Sequence, residues 1–152
     1  MFCEASIRTD FCIPDSPGEY YFEIDVLNYD TRGYKHIFFH ILVLFLTQTS
    51  CVAVGFSDYS TCIYRRDLVT LPGWDCMSWG YHSDDGRKFN RDSFEDGQGQ
   101  EYADTFTTGD TIGCGVDFKS HTAYFTKNGI FLGWMRYAII GKLLTCTRNR
   151  LH

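Results

Sequence analysis

The side chains that could supply a nucleophile and its base include seven cysteines, at 3, 12, 51, 62, 76, 114 and 146, and, among five histidines, His40, His82 and His121. Thiol chemistry needs a thiolate, made by a neighbouring base, cation or metal. No nucleophile motif surrounds any of these cysteines, and no GxSxG serves a serine. The cysteines contain no CxxC pair, so they offer neither a zinc knuckle nor a dithiol redox couple. Asp84, Asp85, Glu95 and Asp96 are calcium ligands by type, but they lack the DxDxDG order with a distal bidentate Glu and read as a solvated loop. Gly109, Gly113 and Gly115 do not form a GxGxxG between a strand and a helix, which removes a nucleotide cradle. The expectation is therefore no catalytic residue, no metal and no cofactor; a thiol-dependent enzyme is the weakest alternative.

What the residue types do suit is contact with another protein, where a few aromatic or arginine anchors carry most of the binding energy. Candidate partner-binding residues are Tyr59, Tyr64, Arg65 and Arg66, after the apolar run 52–56, and Tyr81, His82 and Tyr102 from the centre of the chain. Tyr81 and Tyr102 serve equally as packing residues, and Arg65 and Arg66 as solvated surface. Trp74, after a Pro-Gly turn, reads either as an exposed anchor or as an aromatic plug in the core.

Strands must position these residues. Aromatics make up 17% of the 152 residues and hydrophobics 44%, with fourteen glycines and three prolines, a composition suited to pleated, half-buried surfaces. That apolar content also argues against disorder. Tyr20, Phe22, Ile24 and Val26 alternate with Glu23 and Asp25, a period of two after the Pro17-Gly18 turn. Ile112, Cys114, Val116 and Phe118 alternate with Gly113, Gly115 and Asp117, and Ala123 and Phe125 with Thr122, Tyr124 and Thr126. Asn128-Gly129 then tolerates positive φ at both central positions of a tight hairpin, so 111–133 reads as a three-strand meander. The polar, glycine-rich stretch 80–104 reads as a loop crossing between sheets, of the kind that carries recognition.

The net charge is −5 and no long basic run exists, so nucleic acid is not an expected partner. A membrane span takes about 20 apolar residues, and the apolar run 37–46 falls well short of that. Residues 1–6 lack the basic-then-apolar order of a signal peptide, and scattered cysteines without one read as reduced thiols of the cytoplasm or nucleus.

A family resemblance accompanies these patterns. Leu71-Pro72-Gly73-Trp74 with 78–86 (SWGYHSDDG), then 105–116 (TFTTGDTIGCGV), then 124–129 (YFTKNG) resemble, in order, SPRY domains of the Ran-binding protein M type. Residues 7–10 and 20–24 fall in the expected places upstream, so the resemblance covers most of 5–133. It implies an all-β fold, a two-sheet antiparallel β-sandwich of concanavalin-like jelly-roll type. It further implies a non-catalytic module that binds a peptide or protein through loops at one end, with no small-molecule substrate, as an adaptor or scaffold of a ubiquitin-ligase assembly. The expected layout is a SPRY domain over 1–133, with an atypical apolar insertion at 34–50, and an atypical tail over 134–152 in place of the family's final strands. The insertion reads as intron sequence translated in frame, and the tail as a frame-shifted or intron-derived terminus. The alternative function is a truncated or mis-spliced isoform without binding activity of its own.

Overall fold

Period-two alternation in the sequence becomes the two faces of strands in the computed structural model, which describes residues 5–8, 12–13, 18–27, 51–58, 71–74, 78–90, 99–135 and 143–150, with backbone alone at 5–8, 58 and 143–150. In β2 (Glu19–Asp25), Ile24 is fully buried and Tyr20 and Phe22 pack against the same interior, while Tyr21 and Glu23 face solvent. The expected meander is present as β7 (Thr111–Asp117), β8 (Thr122–Lys127) and β9 (Ile130–Met135). With β2 these strands form a four-stranded antiparallel sheet in the order β2-β7-β8-β9. The hairpin between β8 and β9 turns on Asn128 and Gly129, at φ of 53° and 77°, the left-handed pair that matches the twist of the flanking strands. Asn128 also extends the ladder sideways: its N–H donates to Thr111 O at 2.8 Å and its Oδ1 accepts from Thr111 N at 2.9 Å.

The second sheet is six-stranded and antiparallel throughout. It contains β1 (Ala5–Arg8), β3 (Cys51–Asp58), β4 (Ser78–His82), β5 (Arg87–Phe89), β6 (Gln100–Glu101) and β10 (Leu143–Arg150), in the order β1-β10-β3-β4-β5-β6. Val52, Val54, Phe56, Trp79 and Tyr81 project from its inner face onto Ile24, Ile112, Cys114, Val116 and Phe125 of the other sheet. Each such side chain, fully buried, contributes about 1.5–3 kcal/mol. A second, smaller cluster covers the outer face of the six-stranded sheet, where Cys51 and Ala53 meet Leu71 and Trp74.

Three sequence-based expectations are corrected here. The stretch 80–104 is not one crossing loop: it contains the end of β4 and all of β5 and β6. Strands of three and two residues, set among Gly and Asp, are too short to show a period. The tail is also not without strands, since β9 runs past 133 to Met135 and β10 is inserted between β1 and β3. A strand paired along both edges is held by two ladders, so pairing context outweighs its own alternation. Finally, Trp74 neither fills the core between the sheets nor stands free; it lies half-buried on the outer cluster, with ring centroids 5.7 Å from His82 and 6.3 Å from Phe89. The 34–50 insertion lies outside the described residues.

Candidate functional site

Two glycines create a distinctive surface among the described residues. Between β2 and β8 runs β7, whose outward positions are Gly113 and Gly115. A Cβ at Gly113 would sit 2.0 Å from the Tyr21 hydroxyl, and one at Gly115 would sit 2.1 Å from the Tyr124 ring. With no side chain of its own there, β7 lets the two tyrosines lie across it and stack, centroids 6.0 Å apart at 16°. The β9 strand adds Phe131 and Trp134, 5.5 and 5.1 Å from Tyr124 and 5.4 Å from each other. The result is a shallow aromatic recess lined by Tyr21, Tyr124, Phe131 and Trp134 with Thr126 and Glu19 at its sides.

Polar atoms hold these rings in place. Tyr21 Oη donates to Glu23 Oε1 and shares a hydrogen bond with Thr126 Oγ1, both at 2.8 Å, and Tyr124 Oη donates to Glu19 Oε1 at 2.9 Å. Partial burial, with Glu19 beside it, pushes the Tyr124 phenol up to about 12. Burial raises Tyr21 as well. Both phenols therefore stay protonated and keep their carboxylate partners. Tyr21, Phe131 and Trp134 remain 41%, 49% and 46% exposed, a clustering of large apolar groups that marks interaction surfaces.

A second group of reactive side chains lies on the opposite face, where β3 meets the turn after β4. His82 is 1% exposed, stacked on Phe89 with centroids 4.0 Å apart, and its Nε2 lies 2.8 Å from Pro72 O. A carbonyl only accepts, so Nε2 carries the proton and Nδ1 the lone pair. Burial lowers the His82 pKa, and this outweighs the pull of the Pro72 carbonyl, Asp84 and Asp85. Cys51 Sγ donates to Asp84 Oδ1 at 3.0 Å; burial first, and then Asp84, pushes its thiol far up. Cys114 is raised by burial alone. Neither thiol is an activated nucleophile at neutral pH, since both are held protonated.

The lowered His82 pKa has a measurable sign. The unfolded chain takes up the proton that the folded chain refuses, so the stabilisation is whole above the unfolded value and is lost as the pH falls below about 6.5. Chemical denaturation at about pH 7.5 and pH 5.5 should show the protein less stable at the lower value, by at most about 1.4 kcal/mol per pH unit. A stability that stays flat across that window would refute the neutral, buried assignment.

The residues expected to bind a partner are placed as follows. Tyr59, Tyr64, Arg65 and Arg66 lie outside the described residues. Tyr81 and His82 are corrected: both are interior, Tyr81 between the sheets at zero exposure and His82 under Trp74 and Phe89. Tyr102 is half-buried and held at its hydroxyl and around its ring. Its Oη donates to Gly133 O at 2.6 Å and accepts from Phe125 N at 3.2 Å, its ring meets Tyr81 and Phe125 edge-on, and Lys88 Nζ lies 5.1 Å from its centroid. The aromatic recess went unread because its residues are the outward partners of core positions. Its one sequence signal was Gly113 and Gly115 in a strand flanked by tyrosines, where an interior glycine marks close approach.

Comparison with known proteins agrees with this architecture. The family model of the SPRY domain matches residues 19–139. The Ran-binding proteins 9/10 homolog of Drosophila melanogaster is 40% identical over 129 residues, 85% of this chain and 11% of that protein. Human Ran-binding protein 9 is 38% identical over 129 residues, again 85% of this chain, and 14% of its own length; the chain thus spans less than a fifth of these relatives. Among solved structures, a human SPRY domain superposes with a TM-score of 0.60 at 23% identity, over 98% of this chain and 84% of the other. The SPRY domain of human HERC1 gives 0.58 at 17% identity, over 97% and 80%. Matched over most of its length by sequence and by fold, this chain belongs to the SPRY domain family.

Proposed function

We propose that the chain is a non-catalytic protein-interaction module, and that its aromatic recess seats an apolar or aromatic anchor of a protein partner. The observation that carries this reading is a set of four rings packed on one another, two of them laid across Gly113 and Gly115, with three of the four open to solvent. Rings fixed before binding lose little freedom when a partner arrives. Glu19 and Glu23 border the recess, so the chemistry favours a basic residue beside the anchor. Relatives that bear the name Ran-binding protein support a protein as the partner class. A finer reading, an adaptor of a ubiquitin-ligase assembly, rests on family likeness; the scattered cysteines favour the cytoplasm or nucleus, and Tyr59, Tyr64, Arg65 and Arg66 suit a second contact by residue type.

Selection of peptides from a random library on the full chain, followed by affinity measurement, tests the proposal. The double variant Phe131→Ala/Trp134→Ala should weaken the selected peptides by about 2 kcal/mol or more, roughly 30-fold, with the melting curve close to that of the parent. Loss of binding on changing Tyr59, Tyr64, Arg65 and Arg66 to alanine, with the aromatic variant unaffected, would move the site to that loop and defeat the assignment.

A further inference from the structure

Cys51, His82 and Asp84 converge on the outer face of the six-stranded sheet, where one ligand-type atom from each lies within 4.8 Å of the other two. We infer that these three residues form a zinc-binding site, with thiolate, imidazole and carboxylate as protein ligands and a fourth position open to solvent.

The local backbone keeps the three residues in register. Ser83 N donates to Val52 O at 2.9 Å and Val52 N donates to Ser83 Oγ at 2.8 Å. This double tie fixes the turn that carries Asp84 against the strand that carries Cys51. Gly86 N donates to His82 O at 3.2 Å and closes the same turn. Nε2–H is spent on Pro72 O, which leaves Nδ1 as the ligand nitrogen; a backbone carbonyl on the far nitrogen is what metal-binding histidines keep. Trp74 and Phe89 wall the ring on its other sides.

Tetrahedral zinc, with bonds of about 2.0–2.3 Å, sets its ligand atoms about 3.3–3.8 Å apart. The Cys51 sulfur and the Asp84 oxygen are 3.0 Å apart, so this pair opens slightly while the widest separation in the cluster closes. Asp84 is exposed on its turn and can make that adjustment; Cys51 and His82 are buried. A thiolate and an imidazole select a borderline-soft ion, so zinc is favoured over calcium or magnesium. On binding, the ion replaces the thiol proton, which leaves to solvent past Asp84, and affinity therefore falls as the pH is lowered. The site lies on the face opposite the aromatic recess and does not depend on that recess binding a partner.

Cobalt(II) is a coloured stand-in for zinc, and the full chain should bind it with a thiolate-to-cobalt charge-transfer band that zinc abolishes stoichiometrically. Asp84→Asn, at an exposed position, and Cys51→Ala should each weaken binding by roughly 10- to 100-fold or more, and Cys51→Ala should also remove the charge-transfer band. Cobalt held by the other cysteines would survive both substitutions. The inference is overturned if the parent chain shows no such band, or if either variant binds as the parent does.

Discussion

Gly80→Ala is expected to leave no cooperatively folded sandwich. Residues 71–74 cross the outer face of β4 so closely that a Cβ at Gly80 would lie 2.1 Å from Pro72 O and 2.7 Å from the Pro72 carbonyl carbon. Both are backbone atoms, so no rotamer change relieves the collision. On the paired strand, a Cβ at Gly55 would lie 1.8 Å from Trp79 O, and Gly55 is the register partner of Gly80. The sheet therefore cannot shift toward β3 to make room. Moving 71–74 away instead would break the bond between Pro72 O and His82 Nε2 and uncover Leu71, which is 2% exposed. Overpacking costs about 1–3 kcal/mol where side chains can give, and more where the clash is with fixed backbone, a loss that approaches the lower end of the roughly 5–15 kcal/mol that holds an ordinary domain. Thermal melting followed by far-ultraviolet circular dichroism should show no sharp transition for Gly80→Ala. A melt that matches the parent would mean that 71–74 does not lie on β4 as described.

Tyr81→Ala should cost about 3–5 kcal/mol, and Tyr81→Phe about 1 kcal/mol. The ring has zero exposure, with centroids 4.8 Å from Phe106 and 5.6 Å from both Phe125 and Tyr102. Its hydroxyl donates to Asp104 O and anchors the chain between β6 and β7. Alanine leaves a ring-sized cavity in the one layer common to both sheets, whereas phenylalanine removes only the hydrogen bond. Urea denaturation of the three proteins separates the two contributions. Equal losses for Ala and Phe would show that the hydroxyl rather than the ring carries the effect.

The contrast between Tyr81 and Trp134 shows how much was legible in the sequence. Both strands of the central pairing, β2 and β7, could be read from alternation, as could the hairpin at Asn128-Gly129, because period and turn chemistry are local properties. Which side of a strand becomes the outside of the molecule is not local. Tyr81 stands among Gly80, His82 and Ser83 in a segment that reads as polar, yet its pairing with Val54 turns it to the core. Trp134 stands beyond the last legible strand, yet its pairing with Tyr124 turns it to solvent. Cys51, His82 and Asp84 were equally hidden. Their spacing matches no metal motif, and only the β3–β4 ladder brings them together. Strand β10 was missed for the same reason: its place is set by two neighbours far away in the chain.

That last strand has a consequence for how the protein is made. Ala5 is in register with Asn149, and Leu143 with Asp58, so β10 alone joins β1 to the remainder of its sheet. The hairpins of β7, β8 and β9 close over short stretches of chain as soon as they leave the ribosome, but the seam between β1 and β3 stays open until 143–150 has been synthesised. Contacts so distant in sequence form slowly, and the unpaired edges of β1 and β3 are meanwhile available to other chains. Nascent protein is therefore most exposed to misassembly in the interval before β10 arrives, when a chaperone that shields strand edges has the most to protect.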